Sequence, residues 1–297
     1  MSAAVTTEAS GGRADGRPGG GRGGGRGGRP GGGRAWRIWR IVPLYQTIAY
    51  RGRFFLAPFM MGVQVYLYYL LWTAVYQGKE SVAGLDVHQA VTYAALAILV
   101  GRIRWSNRMV TKDNLPQRTR EGTVIYWFLR PISPGRYYMY RAVGDMGYGA
   151  MWALVGYLIA LATGVIRPPA SATVGLVFVV SLVLGQMILY YLGQLVDLAT
   201  FWLTSNSGLT RMYSFVQDLL SGVFVPLWFL PGWLLTTASV LPFAATINVP
   251  ISIYVGRIPL ADAPENLLRE VCWVVALAVL TKFVWSRAAR RVTSQGG

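Results

Sequence analysis

The chain has 297 residues, of which 54% are hydrophobic and 13% are charged, and its formal net charge at pH 7 is +16. Soluble domains usually carry about a quarter charged residues, so this composition excludes an ordinary soluble protein. The sequence contains one cysteine, Cys272, which excludes an intrachain disulfide.

Residues 1–35 are rich in glycine and arginine, and we treat them as a unit separate from residues 36–297. They contain too little apolar surface to offset the entropy of ordering, so we expect a disordered cytoplasmic tail. The Arg-Gly-Gly repeats resemble those of RNA-binding tails. Attraction of a basic tail to anionic lipid headgroups is the favoured interpretation, and nucleic acid is therefore not an expected partner.

Residues 36–53 combine aromatic and basic side chains, among them Trp36, Arg37, Trp39 and Arg40. Aromatic side chains beside arginines are typical of a helix that lies in the membrane interface. The segment therefore predicts an interfacial N-terminal helix that leads into the first membrane span.

Six apolar segments follow, and a helix needs about 20 apolar residues to cross a bilayer. The predicted spans are residues 54–76, 87–105, 144–166, 174–203, 212–230 and 267–285. The second span is the weakest of the six, because Arg102 and Arg104 lie at its end. The fourth is long enough to tilt or to project beyond the bilayer.

Residues 231–264, between the fifth and sixth spans, are too apolar for an ordinary loop. They are also interrupted by Pro242, Pro250 and Pro259, which argue against a continuous spanning helix. Re-entrant or interfacial half-helices fit this stretch, because such backbone is tolerated at membrane depth where protein buries it.

The distribution of positive charge orients the predicted spans. If the N-terminus is cytoplasmic, the inside segments hold 24 lysines and arginines and the outside segments hold four. This asymmetry is typical of the positive-inside rule. The sequence therefore predicts an all-α integral membrane protein with six transmembrane helices and with both termini in the cytoplasm.

The long cytoplasmic loop between spans two and three contains an amphipathic segment that begins at Arg120 and stops at Pro131. Two interpretations are open. The segment is either an interfacial helix that only links two spans, or a docking helix for a cytoplasmic partner.

Three stretches of the chain carry a resemblance to a known family. The first comprises Glu121, Gly122, Tyr126, Leu129, Arg130 and Pro131, followed by Tyr140, Arg141 and Gly144. The second comprises residues 221–233, 241–243, Pro250 and residues 253–256, and the third comprises residues 290–297. In this order, over residues 44–297, they resemble the permeases of ABC-2 type ABC exporters, in a bacterial branch built from two different permeases and one ATPase.

The resemblance implies a multi-pass permease subunit in the bacterial plasma membrane that forms the substrate path of an ATP-driven exporter. It implies a separate cytoplasmic ABC ATPase, which would bind ATP and Mg²⁺, and a second permease that is a related chain or another copy of this one. The candidates for ATPase coupling are Glu121, Gly122, Tyr126, Leu129, Arg130 and Pro131.

We expect no enzyme activity, cofactor or metal in this chain. The sequence contains no phosphate-binding loop, so ATP hydrolysis would belong to the partner. It also contains no Ser/His/Asp, Cys/His or metal-ligand constellation, and its only histidine, His88, is expected at the membrane interface.

Polar residues recur at helical spacing in spans four and five and form one stripe on each helix. The span-four stripe comprises Gln186, Tyr190, Gly193, Asp197, Thr200 and Thr204, and the span-five stripe comprises Ser207, Arg211, Ser214, Asp218 and Ser221. Neither stripe should face lipid, since a charge at the bilayer centre costs at least about 2.5 kcal/mol. Each stripe is either a helix–helix contact, or the lining of the substrate path or of the permease–permease seam. A short turn near Asn206 predicts antiparallel helices with Asp197 and Asp218 at similar depth.

Three other classes of membrane protein compete with the permease interpretation. A structural or assembly protein would not need the basic loop with its helix-stopping proline. A secondary transporter without an ATPase partner would usually show internal repeats, and the sequence shows none. A membrane-embedded enzyme would need His, Asp or Glu clustered at one depth, which the single histidine and scattered aspartates argue against.

Overall fold

The computed structural model describes residues 51–78, 81, 84–103, 115–129, 133–203 and 206–295. Over this part of the chain the regular secondary structure is helical, which confirms the all-α prediction. The predicted tail and all but the end of the predicted interfacial helix lie outside the described residues.

The first three long helices pack as one group. They are α1 (Arg51–Val75), α2 (Val87–Ile103) and α5 (Pro134–Ala162). Helix α2 lies against both of the others, and its residues 90–100 are all buried. Because α2 is shielded by protein along most of its length, its small and apolar side chains form a core cluster with residues of α1, α5 and residues 247–254.

The second group is built on α6 (Ala172–Leu198), which continues as the 3-10 turn Ala199–Phe201, and on α10 (Ala263–Gln295). The Ser171 side chain caps α6 by accepting a hydrogen bond from the Val174 amide at 3.2 Å. Helix α10 packs along α6. Its 33 residues span about 50 Å, which exceeds the hydrocarbon thickness of about 30 Å.

Three short helices lie between these long elements. They are α7 (Ser207–Ser221), α8 (Gly232–Val240) and α9 (Asn248–Tyr254). The predicted fifth span, residues 212–230, is wrong in both bounds, since α7 begins at Ser207 and ends at Ser221. The helix ends there because Gly222 adopts φ +82°, a left-handed conformation that glycine tolerates without a Cβ clash.

Helices α8 and α9 lie within residues 231–264, where the sequence predicts half-helices. Side-chain hydrogen bonds connect residues 246–248, at the start of α9, with α2 and α7. The Tyr93 hydroxyl of α2 donates to Asn248 Oδ1 at 3.0 Å. The Gln217 side chain of α7 donates from Nε2 to Thr246 Oγ1 at 2.9 Å. The irregular backbone before α9 and the short helix itself are therefore buried by α2, α7 and the long helix α6.

Two helices are longer than the spans predicted for them. Helix α5 begins at Pro134 rather than at residue 144, with the proline at the first helical position, where its missing N–H costs nothing. Helix α10 covers Ala263–Gln295 rather than residues 267–285. Both extensions contain charged residues, and hydropathy alone marks only the most apolar part of a helix.

Two of the described helices have the length and apolar composition of a membrane span. They are Pro134–Ala162, with a mean hydropathy of 1.3 in its most apolar window, and Ala172–Phe201, with 2.3. Two shorter apolar helices, Phe59–Val75 and Val87–Ile103, match the first and second predicted spans. The six-span topology therefore stays a prediction.

Candidate functional site

The cytoplasmic loop predicted to dock a partner forms a compact segment, residues 115–129, which we call the loop segment. It consists of α3 (Leu115–Arg120) and α4 (Ile125–Phe128). The prediction of one continuous helix in this stretch is wrong, because the chain turns at Gly122, where φ is +68°, while docking of residues 118–131 to a partner stays a prediction. No heavy atom lies within 4 Å of a Cβ added at Gly122, so this glycine serves the turn and not a close backbone approach.

One side of the loop segment is anchored in the protein. Leu115, Val124 and Trp127 are 0%, 6% and 1% exposed. They belong to a cluster, here called the base cluster, whose members are Leu115, Val124, Trp127, Tyr138, Ala142, Tyr190, Leu198, Phe201 and Ala288. The Trp127 and Tyr137 rings meet edge to face with centroids 5.1 Å apart. The base cluster therefore joins the loop segment to α5, α6 and α10.

The other side of the loop segment is exposed. Tyr126 and Leu129 are 59% and 74% exposed, and Glu121 is exposed as well. The Glu121 carboxylate accepts a hydrogen bond at 2.7 Å from Nε2 of Gln117, which lies one turn earlier on α3, and this bond holds the carboxylate beside the end of that helix. Three of the candidate coupling side chains thus lie on the accessible side of the segment, while Arg130 and Pro131 lie outside the described residues.

The polar stripe of span four lies inside the chain. Gln186, Tyr190, Gly193, Asp197 and Thr200 are all buried, and Thr204 lies outside the described residues. The hydroxyl of Tyr138 on α5 donates a hydrogen bond to Asp197 Oδ2. The Tyr138 and Tyr190 rings lie 6.0 Å apart. At its Asp197 end the stripe therefore forms a contact between α6 and α5, beside the base cluster.

The polar stripe of span five is more accessible. Arg211 is exposed, Ser214 and Asp218 are half-buried, and Ser221 is buried. Exposure therefore falls along the stripe from the start of α7 towards its end. The neighbouring Met212 and Phe215 are 66% and 63% exposed, so this face of α7 is not covered by the described part of the chain.

The two aspartates of the stripes are not at similar depth. Asn206 Nδ2 donates to the carbonyl of Val196 at 3.5 Å, which places Asp197 level with the turn between α6 and α7. Asp218 lies eleven residues beyond Ser207, which is about 17 Å along a helix axis. The prediction of a shared depth is therefore wrong. Helix α6 ends one residue after Asp197, at Leu198, so Asp197 lies beside the connection to α7, whereas Asp218 lies near the far end of α7.

A comparison with known protein families gives one result that covers most of the chain. A family model described as "ABC-2 family transporter protein" matches residues 63–296. The chain belongs to this family. Comparisons with curated proteins and with solved structures find no match. The resemblance drawn from the sequence motifs is confirmed, and the matched range includes every candidate site residue from Glu121 to Ser221.

Membership of the ABC-2 transporter family identifies the chain as a membrane transport component and suggests a permease rather than a catalytic subunit. Among the described residues, no group of three or more His, Cys, Asp or Glu side chains is arranged to hold a metal ion.

A buried carboxyl group of this ABC-2 family chain was missed by sequence reasoning. Glu270 of α10 is 1% exposed, and its Oε1 accepts a hydrogen bond from Ser181 Oγ of α6 at 2.7 Å. Glu270 belongs to neither of the polar stripes that helical spacing indicates in spans four and five. The available signal was that Glu270 is the only acidic residue within residues 267–285, and an ionisable residue inside a membrane span by itself suggests a functional site.

Proposed function

We propose that this ABC-2 family chain is the permease subunit of an ATP-driven exporter in the bacterial plasma membrane. It crosses the membrane six times, with both termini in the cytoplasm. Family membership supports the transport role, and the distribution of lysine and arginine supports the orientation. The energy comes from a separate cytoplasmic ABC ATPase that binds ATP and Mg²⁺.

The observation that carries this proposal is the two-sided character of the loop segment. Its buried side, with Trp127, belongs to the base cluster, while Glu121, Tyr126 and Leu129 are exposed on the other side. An interfacial linker would direct Tyr126 and Leu129 towards the lipid headgroups, whereas a docked segment directs them, together with Glu121, towards a partner protein. Exposed apolar side chains next to a carboxylate suit a groove on a partner protein.

Coupling follows from the contacts of the loop segment. A displacement of the ATPase moves Tyr126 and Leu129, and the buried Trp127 passes the displacement to Tyr137 and Tyr138 at the start of α5. The hydrogen bond from Tyr138 to Asp197 extends the connection to α6. Closely packed side chains transmit such shifts because they have little room to absorb them.

A second permease completes the assembly, as a related chain or as another copy of this one. The accessible face of α7 carries Arg211, Ser214 and Asp218. Polar and charged side chains on a membrane helix rarely face lipid, because the hydrocarbon offers them no hydrogen-bond partner. This face therefore lies at the permease–permease seam or lines the substrate path.

Helices α8 and α9 form re-entrant half-helices on the outer side of the membrane. With 9 and 7 residues they are about 14 and 11 Å long, too short to cross a hydrocarbon core of about 30 Å. The polar contacts of Asn248 and Thr246 with α2 and α7 support this placement, because they satisfy groups that lipid would leave unpaired.

The proposal is tested by purifying the tagged chain from its native membrane and identifying the ATPase that accompanies it. Glu121→Arg should keep the chain in the membrane but reduce ATPase binding by at least about 30-fold, because reversing a charge in a docked contact costs several kcal/mol. Substrate-stimulated ATP hydrolysis should fall in parallel.

Glu265→Arg is the matched control, because Glu265 is also an exposed glutamate but lies on the predicted outer side. It should leave ATPase binding unchanged. Docking through Glu121 is refuted if the Glu121→Arg chain retains normal ATPase binding and hydrolysis. Transport by the purified chain without any ATPase would instead support a secondary transporter.

A further inference from the structure

Glu270 lies in a part of the molecule that the coupling proposal does not use. It is seven residues after Ala263, the first residue of α10, and thus about 10 Å along the helix from the predicted outer end. Its side chain is 1% exposed and packs against Ser181, which is itself fully buried. A carboxyl group in this position is costly to bury and needs a physical reason.

The two carboxyl oxygens of Glu270 have different surroundings. Oε1 accepts the hydrogen bond from Ser181 Oγ at 2.7 Å. Oε2 is buried and has no hydrogen-bond partner within the part of the chain that the structure describes. A buried ionised carboxylate loses several kcal/mol of hydration unless a cation or hydrogen-bond donors replace the water. The negative charge of an ionised Glu270 is therefore not balanced at Oε2 by the described side chains.

Glu270 lines a cavity of about 190 Å³ between α10 and the half-helix region. This volume corresponds to about six water molecules. A small organic cation of the size of choline would fill a volume of that order. Asn248 and Asn266 contribute polar atoms to the wall, and the rest of the wall is largely apolar, with Leu227, Leu241 and Ile258 among its members. The cavity thus combines one buried carboxyl group with mostly uncharged surroundings.

The charge balance of the cavity is negative. Arg269 also lines the wall, but its guanidinium donates to Glu265 Oε1 at 2.9 Å, so these two charges offset each other. Of the three charged side chains Glu265, Arg269 and Glu270, only Glu270 is then left without an opposite charge, when its carboxyl group is ionised. A divalent metal ion is not favoured, because no group of three or more metal-ligating acidic, histidine or cysteine side chains occurs in the described ranges.

Trp273, three residues after Glu270 on α10, lines the same cavity. The face of an indole ring attracts cations, and aromatic rings are widely used to bind quaternary ammonium groups. We propose that the Glu270 cavity is a binding site for a monovalent organic cation of the ammonium class. The positive charge lies on the Glu270 side of the cavity, where it balances the carboxylate, and the alkyl groups contact Trp273 and the apolar wall.

If the bound cation is also transported, ammonium-type cations are a substrate class of the exporter, and that part of the proposal rests on the exporter function. Binding of the cation to the cavity does not require the ATPase.

The full-length chain is purified in a non-ionic maltoside detergent, which contributes no choline headgroup. Binding of radiolabelled choline is then measured by equilibrium dialysis, without ATPase or nucleotide, so the outcome is separate from the test of the exporter.

The wild-type chain should bind choline saturably, and tetramethylammonium should displace it. The neutral isostere 3,3-dimethyl-1-butanol should not displace it, because it has the shape of choline without the charge. Glu270→Gln keeps the size of the side chain and its hydrogen bond to Ser181, and it should weaken binding by at least about 30-fold. Trp273→Leu should weaken binding by about 5-fold.

Asp262→Asn is the matched control, because it makes the same carboxylate-to-amide change at an exposed position just before α10. It should leave choline affinity within about twofold of the wild-type value. The proposal is overturned if the wild-type chain shows no saturable choline binding below about 1 mM. Equal affinity of the wild-type and Glu270→Gln chains, or displacement by the neutral alcohol, would overturn it as well.

Discussion

The carboxyl group of Asp197 is buried and accepts a hydrogen bond from Tyr138, whereas that of Asp218 is half-buried on the accessible face of α7. Two aspartates with the same place in a polar stripe therefore have different surroundings. Asp197 contributes to the packing of α6 on α5. Asp218 lies where a second permease or a substrate could contact it.

The same substitution at both positions separates these roles. Asp197→Leu leaves the buried hydroxyl of Tyr138 without its acceptor and should cost about 1–3 kcal/mol of stability. Asp218→Leu should cost less, because its side chain is only half-buried, yet it should lower transport while the chain remains inserted. Thermal unfolding in detergent and transport in vesicles measure the two effects. Equal destabilisation, or wild-type transport by Asp218→Leu, would contradict this assignment.

At the scale of elements, the loop segment is a short unit that depends on its contacts with the long helices. Helices α3 and α4 have six and four residues, and isolated helices shorter than about 12 residues are marginal in water. Their stability must therefore come from packing. Trp127, Leu115 and Val124 provide it through the base cluster, so the position of the exposed Tyr126 and Leu129 depends on a buried neighbour.

Truncation of Trp127 tests this dependence. Trp127→Ala should destabilise the base cluster by about 3–5 kcal/mol and should lower ATPase binding although Glu121, Tyr126 and Leu129 are unchanged. Trp233→Ala is the matched control, because Trp233 is 71% exposed on α8 and its truncation should change stability by less than about 0.5 kcal/mol. Both are measured by thermal unfolding and by co-purification of the ATPase. Unchanged ATPase binding by Trp127→Ala would rule out this anchoring role.

Much of this element-level organisation could be expected from sequence, and some could not. The apolar runs located α1, α2, α5 and α6 within a few residues at most ends, and three prolines indicated the short helices after α7. The breaks at Gly122 and Gly222 were not anticipated. A glycine inside an amphipathic pattern is compatible with both a helix and a left-handed turn, and the contacts of the flanking side chains determine which one forms.

At the scale of the whole molecule, the distribution of charge follows the proposed orientation. The predicted cytoplasmic segments hold 24 of the 28 lysines and arginines. The loop segment and the base cluster then face the ATPase, while the Glu270 cavity lies towards the outer side. The two proposed sites are thus at opposite ends of the α6–α10 pair, and α6 contributes Asp197 to one and Ser181 to the other.

Cysteine labelling tests the orientation. Cys272 is exposed and must first be replaced, so the background is Cys272→Ser. Gln77→Cys and Pro264→Cys should react with a membrane-impermeant maleimide in intact cells. Gln117→Cys and Ser294→Cys should react only after permeabilisation, because they lie on the cytoplasmic side. Labelling of position 117 from outside would refute the six-span topology.

The sequence by itself determined the class of this protein. Long apolar runs, asymmetric positive charge and the ordered motifs are properties of the chain that do not depend on distant contacts, and they were sufficient for a helical membrane protein of the ABC-2 family. Only the tertiary structure decided which polar faces are buried. Tyr138 lies 59 residues before Asp197, and Ser181 lies 89 residues before Glu270. Such pairs depend on which faces of distant helices pack together, and helical periodicity within one segment does not specify the partner.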